Sequence, residues 1–170
     1  MTVLVGYASA HGSTRKIAER IAERIAERGH PVAVKPLDTD VDPKEYTAVV
    51  LGSAVHNQRW LPAAEDFVHT HRDALAERPL WAFSVGMPAA LRGPWRRFAG
   101  KEEAVVLDAL ALPTSLRGHR LLSGVIAPEH LGRTGASMFR LVGGRFGDYT
   151  DWEAVDAWAN DITTALGPEA

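Results

Sequence analysis

Tyr7-Ala8-Ser9-Ala10-His11-Gly12-Ser13-Thr14 follows the apolar run Val3-Leu4-Val5 and leads into a helical pattern that begins near Arg15. A strand turning sharply into a helix presents unpaired backbone N–H groups and the positive end of the helix dipole, which together attract an anion. The turn carries three hydroxyls, on Ser9, Ser13 and Thr14, and one glycine, but no lysine. Hydroxyls and amides suit the single terminal phosphate of a cofactor. A triphosphate calls for the lysine of a P-loop, and a dinucleotide for three spaced glycines. Ser and Thr before a helix also serve as plain N-caps, so both readings stand at this point.

The 170 residues fit one domain, 1–170, with enough chain to bury a core without disulfides. The absence of cysteine excludes thiolate catalysis and iron–sulfur ligation and is compatible with a reducing cytoplasm. No apolar run approaches the roughly 18 residues of a membrane span, and no leader pattern precedes the first strand. The expected location is cytoplasmic. The net charge of −2 is uneven: residues 91–147 hold nine Lys/Arg against four Asp/Glu, whereas 148–170 hold six acids and no base. Such a basic segment suits anionic ligands or lipid headgroups, or is an ordinary solvated face.

Five apolar runs recur, Val3–Tyr7, Val32–Val34, Ala48–Leu51, Leu80–Val85 and Leu121–Ile126, with the little polar alternation expected of strands covered on both faces. Between them lie helical patterns. Ile17, Ile21 and Ile25 mark one face of the repeat Ile-Ala-Glu-Arg, with Arg20/Glu23 and Arg24/Glu27 as i,i+3 pairs. Further helices are expected over Pro62–Leu75, about Arg97–Leu110 and Asp151–Leu166, the last behind a capping box Thr150-Asp151-Trp152-Glu153. Alternating β and α elements predict an α/β three-layer sandwich around a five-stranded parallel sheet of order 2-1-3-4-5.

Ligands bind such sheets at the carboxyl ends of the strands. Three loops belong to that edge: Ser9–Thr14, Gly52–Trp60 and Ser84–Pro94. The second and third begin with small residues, so a planar ring can lie between them while its phosphate sits in the first. That is an arrangement for flavin mononucleotide, FMN.

The chain resembles the flavodoxin family through Ser9–Thr14, Val49-Val50-Leu51-Gly52-Ser53 and the element order. Within it, the chain is similar to the menaquinone-dependent protoporphyrinogen oxidase subgroup. That similarity rests on Gly52-Ser53-Ala54-Val55-His56, Phe83-Ser84-Val85 and Tyr149-Thr150-Asp151-Trp152-Glu153. The resemblance implies that Ser9, His11, Gly12, Ser13 and Thr14 wrap the phosphate. It implies that Ser53, Ala54, Val55 and His56 line one side of the flavin, with Ser84, Val85, Gly86 and Met87 near the other. Trp152 is expected to pack on the sheet. Three departures stand out: His11 replaces a small hydroxyl residue, no Tyr in the third loop stacks on the ring, and the chain is near neutral where carrier flavodoxins are acidic.

The activity implied is oxidation of protoporphyrinogen IX in haem biosynthesis with a quinone as acceptor. The basic stretch Arg92–Arg97, with Trp95, would pair with propionates. No catalytic acid or base is assigned, His56 reading as a solvated loop residue. Ala127–Tyr149, with Met138, Phe139, Leu141, Val142 and Phe146 among Arg133, Arg140 and Arg145, is expected to meet apolar molecules or the membrane surface, or to form a short helix packed on the sheet. The alternatives are a flavodoxin-type carrier that meets a redox protein, and a cofactor-free interaction module. A receiver domain lacks its Asp after the third strand, and a cobalamin module lacks the Asp of Asp-x-His-x-x-Gly. Nucleic-acid binding has no basic aromatic stripe behind it. His69 and His71 are too close to share a helix face, so no metal is expected.

Overall fold

The computed structural model describes residues 2–86, 104–141 and 144–168. Strand β1 (Val3–Ala8) leads to helix α1 (Ser13–Glu27) and β2 (Val32–Pro36). Strand β3 (Ala48–His56) turns back into the two-residue β4 (Arg59–Trp60), followed by α2 (Pro62–Thr70), α3 (Arg72–Ala76) and β5 (Leu80–Gly86). A helix over 104–110, α4, precedes β6 (Leu116–Ser123). Then come β7 (Val125–Ile126), α5 (Pro128–Leu141), β8 (Gly147–Asp148) and α6 (Trp152–Leu166).

The main sheet runs β2-β1-β3-β5-β6, all parallel, with β4 antiparallel on β3. Leaving that short strand aside, the order is 2-1-3-4-5, as expected. Alternation of side chains along the strands fills two cores. On one face Val3, Val5, Val50 and Phe83 meet Ile17, Ile21 and Ile25 of α1 and Val155, Trp158 and Ile162 of α6. On the other, Leu4, Val49, Leu51 and Ala82 meet Phe67 and Val68 of α2, Leu75 of α3 and Val106 and Leu110 of α4. A third, small cluster of Ile126, Phe139, Leu131, Phe146 and Tyr149 lies beneath α5.

Several boundaries differ from the sequence reading. Leu121–Ile126 is not one strand. The edge strand β6 starts at Leu116, where Arg117, His119 and Arg120 hide the apolar signal, and Val125–Ile126 leaves to pair with β8. The helix expected over Pro62–Leu75 breaks at His71, whose φ of −106° and ψ of 18° are not helical. Asp151 caps α6, its carboxylate accepting the Ala154 N–H at 3.0 Å, so Thr150 is not the cap. Trp152 is 39 % exposed rather than packed on the sheet; Trp158 fills that role, edge-on to Phe83 with ring centroids 5.8 Å apart.

Candidate functional site

The phosphate-loop geometry follows from Gly12. Its φ of +90° is left-handed, a conformation that costs a side-chain-bearing residue strain, and it makes Gly12 the N-cap of α1. No side chain caps this helix. The hydroxyls are therefore not helix caps: Ser13 and Thr14 are the first two helical residues, and Ser9 Oγ accepts the Gly12 N–H at 2.9 Å. Ser13 Oγ accepts the Val125 N–H at 3.2 Å. A hydroxyl has one donor and two acceptor positions, so both serines keep an O–H to donate. Thr14, the second helical residue, is 1 % exposed. The opening N–H groups of α1 lack intrahelical acceptors.

These groups form one end of a cleft of about 290 Å³ at the carboxyl edge of the sheet. Ser9, Ala10, His11, Ser13 and Thr14 contribute from the first loop, Ala54, Val55 and His56 from β3, and Val85 and Gly86 from β5. Leu61, Gly124, Val125, Ile126, His130 and Leu131 complete the lining. No Asp, Glu, Lys or Arg is among these residues. Among the described residues the positive end of the cleft is therefore the N-terminus of α1. His11 and His130 stack, centroids 3.9 Å apart and planes 4° from parallel.

Nine of the thirteen residues expected from the sequence line the cleft. Gly12 supports it through backbone shape. Ser53 is buried beneath it: its hydroxyl donates to the Ala54 carbonyl at 2.9 Å and accepts the Leu61 N–H at 3.0 Å. Ser84, also buried, accepts the Trp60 Nε1–H at 2.8 Å and pairs with His119 Nε2 at 2.8 Å. Both serines hold the β3–β4 hairpin rather than face a ligand. Met87, the rest of the third loop and Arg92–Arg97 lie outside the described residues.

The second loop is not open loop. β3 continues to His56 and turns at Asn57 and Gln58, with φ of 51° and 60°, the left-handed pair of a tight hairpin. Gly52 is small for a structural reason, because a Cβ there would lie 1.9 Å from the Phe83 ring. The sequence reading missed Leu61, Gly124, Val125, Ile126, His130 and Leu131, which reach the cleft through the hairpin and the β7–α5 excursion. Ala127–Tyr149 thus holds α5, kinked at Gly132 (φ 66°, ψ 175°), and its first turn walls the cleft. Farther out, Met138 is 63 % and Leu141 85 % exposed, and the Arg140 guanidinium sits 5.2 Å from the Phe146 ring centroid.

Comparison with known proteins agrees with this architecture. The sequence model of the family described as Flavodoxin domain matches residues 4–143. No curated protein matches the chain. Among solved structures, a flavodoxin from the domain Archaea superposes with a TM-score of 0.57 at 18 % identity, covering 98 % of this chain and 99 % of its own. Oxidised Flavodoxin 2 from Bacillus cereus gives 0.57 at 21 % identity, with coverage of 98 % and 99 %. Rubredoxin oxygen:oxidoreductase from Desulfovibrio gigas gives 0.58 at 17 % identity; the match covers 97 % of this chain but 36 % of that one.

The flavodoxin domain is an FMN-binding domain, and the donor set here fits that cofactor. Serine hydroxyls that accept a backbone N–H and keep an O–H to donate stand at one end with the opening amides of α1, where a phosphate belongs. Apolar side chains, with glycine at 86 and 124, leave room for a flat ring at the other.

Proposed function

We propose a function for this chain, which belongs to the flavodoxin domain family: it is an FMN-dependent oxidoreductase acting on an apolar small molecule. The observation that carries this reading is the position of α5. Its first turn closes the cleft through His130 and Leu131, while its outer end presents Met138 and Leu141 beside Arg140. A carrier that meets another protein at an open flavin edge has no need of such a helix. An apolar anionic substrate or a lipid-soluble acceptor does.

FMN, when bound, supplies two-electron transfer as a hydride equivalent or single-electron exchange. The chain's own residues supply placement. Ser9, Ser13 and Thr14 would donate O–H groups, and the α1 N-terminus N–H groups, to its phosphate. Ala54, Val55, Leu61 and Val85 would exclude water from the ring, and His56 stands exposed at the rim. No side chain is assigned as acid or base. Within this class, the sequence resemblance favours oxidation of protoporphyrinogen IX with a quinone acceptor. Hydrogen would leave the porphyrinogen as two electrons and two protons for each quinone reduced. The family itself favours the second reading, a flavodoxin-type electron carrier with a redox-protein partner.

The test begins with absorbance and fluorescence. Purified chain should bind FMN, quench its fluorescence and bind FAD less well. Absence of quenching at micromolar concentration would leave the cofactor-free module. Loaded protein is then mixed anaerobically with porphyrinogen and menaquinone while porphyrin fluorescence is followed. Turnover above background supports the oxidase. Background rate together with rapid single-electron exchange with a reductase supports the carrier.

A further inference from the structure

We infer that Ser13 is a positioning residue that links occupancy of the phosphate site to the seating of β7 and α5 across the cleft. The inference rests on the FMN reading above. Ser13 opens α1, and its Oγ holds the Val125 N–H at 3.2 Å. With a backbone donor on one of its lone pairs, the Ser13 hydroxyl has its O–H left to give, and Ser13 lines the cleft where phosphate belongs. An anion accepting that O–H makes Oγ a better acceptor, because consecutive hydrogen bonds polarise one another. Phosphate therefore tightens the grip on Val125.

The backbone at 124–125 is a junction through which that grip spreads. A side chain at Gly124 would come within 3.1 Å of Ser13 Cβ and 2.8 Å of Val85 Cγ1, so only glycine brings the two segments this close. The Gly124 N–H donates to the Gly86 carbonyl at 3.3 Å, and its own carbonyl accepts the Tyr149 N–H at 3.3 Å. One residue thus ties the end of β5, the α1 loop and the entry to α6. A second tie lies one turn away, where His130 stacks on His11 and accepts the Ala127 N–H on Nδ1 at 3.3 Å. Between the two ties lies the apolar wall formed by Ile126 and Leu131. By linkage, whatever seats this wall also strengthens phosphate binding. The substrate side of the cleft is then completed by the phosphorylated cofactor and not by the flavin ring alone.

The experiment is hydrogen–deuterium exchange by mass spectrometry on the full chain, alone and saturated with FMN or with riboflavin, the same ring without phosphate. FMN should slow exchange across 124–131 by about fivefold or more, the lower end of ordinary coupling. Riboflavin should slow it much less. In Ser13→Ala, saturated with FMN and checked for native circular dichroism, the slowing should be lost. Gly124→Ala, which keeps the hydroxyl but spoils the junction, gives an independent variant with the same expected loss. Equal protection by FMN and riboflavin, or full FMN-induced protection in Ser13→Ala, would overturn the coupling while leaving FMN binding intact. Failure of the wild-type chain to quench FMN would overturn the FMN reading, and this inference with it.

Discussion

His11 of the phosphate loop and His130 of α5 face each other as parallel rings, 3.9 Å apart, although 118 residues separate them in sequence. The contact fastens α5 to the loop by flat surface rather than by charge. His130→Phe keeps a stacking face but loses the Nδ1 acceptor for Ala127 N–H; His130→Ala loses both. Ring stacking contributes about 0.5–1.5 kcal/mol beyond area burial. Thermal unfolding should therefore show His130→Ala less stable than His130→Phe by at least that amount, since the ring also covers apolar area that a methyl does not. Equal stabilities would mean the stack contributes nothing.

Thr14 separates a binding role from a folding role. Gly12, not a hydroxyl, caps α1, and Thr14 lines the cleft from the first turn of that helix. Thr14→Val keeps the shape and removes the O–H. FMN titration should show affinity weakened by about 1.5–3 kcal/mol, the range for a hydrogen bond to a charged group. Stability without cofactor should be unchanged or slightly raised. A fall in stability with unchanged affinity would return Thr14 to a structural role.

Gly52→Ala should damage the fold rather than the cofactor site. The new methyl would meet Phe83 at 1.9 Å inside a sheet covered on both faces. Overpacking of this kind costs about 1–3 kcal/mol, and so close an approach belongs at the upper end. Gly52→Ala combined with Phe83→Leu should recover part of the loss in a denaturant melt. Absence of recovery would place the strain elsewhere.

The link between α1 and α6 predicts acid sensitivity. Asp156 accepts from Arg20 Nε at 2.8 Å and Nη2 at 2.9 Å, and from Arg24 Nη2 at 2.8 Å. These guanidinium hydrogen bonds, Arg20 first, hold its carboxyl well below the usual carboxylate range. A depressed folded-state value contributes stability that is present above the unfolded carboxylate pKa, near 3.9, and lost as pH falls toward the folded value. Asp156→Asn should therefore be destabilised at pH 7 by about 1–2 kcal/mol and show a flatter loss of stability below about pH 4. Parallel acid-unfolding curves for both proteins would refute this assignment.

The sheet and α1 were legible because their signals are local. Val3–Val5 and Leu80–Val85 are unbroken apolar runs, and Ile17, Ile21 and Ile25 keep strict helical spacing. The pairs Arg20/Glu23 and Arg24/Glu27 form as expected, at 3.4 and 2.7 Å. Their shared partner Asp156 was not legible, since nothing local marks a contact across 136 positions. The same limit applies to the cleft. Ser9, Ser13 and Thr14 announce themselves in one turn, whereas Leu61, Gly124 and His130 arrive only through tertiary folding. Ser53 and Ser84 looked like ligand groups because small polar residues at strand ends suit either role. Trp60, Leu61 and His119 claim them instead.

The exposed end of α5 distinguishes an oxidase with a lipid-soluble acceptor from a carrier. Replacing all of Ala127–Tyr149 with a linker would not separate the two, because His130 and Leu131 wall the cleft and Val125 just ahead is bonded to Ser13. A cleaner change leaves the wall and alters the outer surface. Met138 and Leu141 lie 63 % and 85 % exposed, and neither lines the cleft. Met138→Ser with Leu141→Ser should leave FMN affinity and melting temperature nearly unchanged, since surface substitutions of this kind fall within about 0.5 kcal/mol. If apolar acceptors dock there, the double variant forfeits apolar contact worth up to about 1.5–3 kcal/mol for each side chain fully covered. Turnover with menaquinone in anionic vesicles should then fall at least about tenfold, as 1.4 kcal/mol does, while turnover with a water-soluble dye holds. The flanking Arg133, Arg140 and Arg145 add attraction of about 1 kcal/mol each near an anionic surface, so added salt should weaken the vesicle reaction selectively. Equal turnover with both acceptors in the variant would remove this surface from the mechanism.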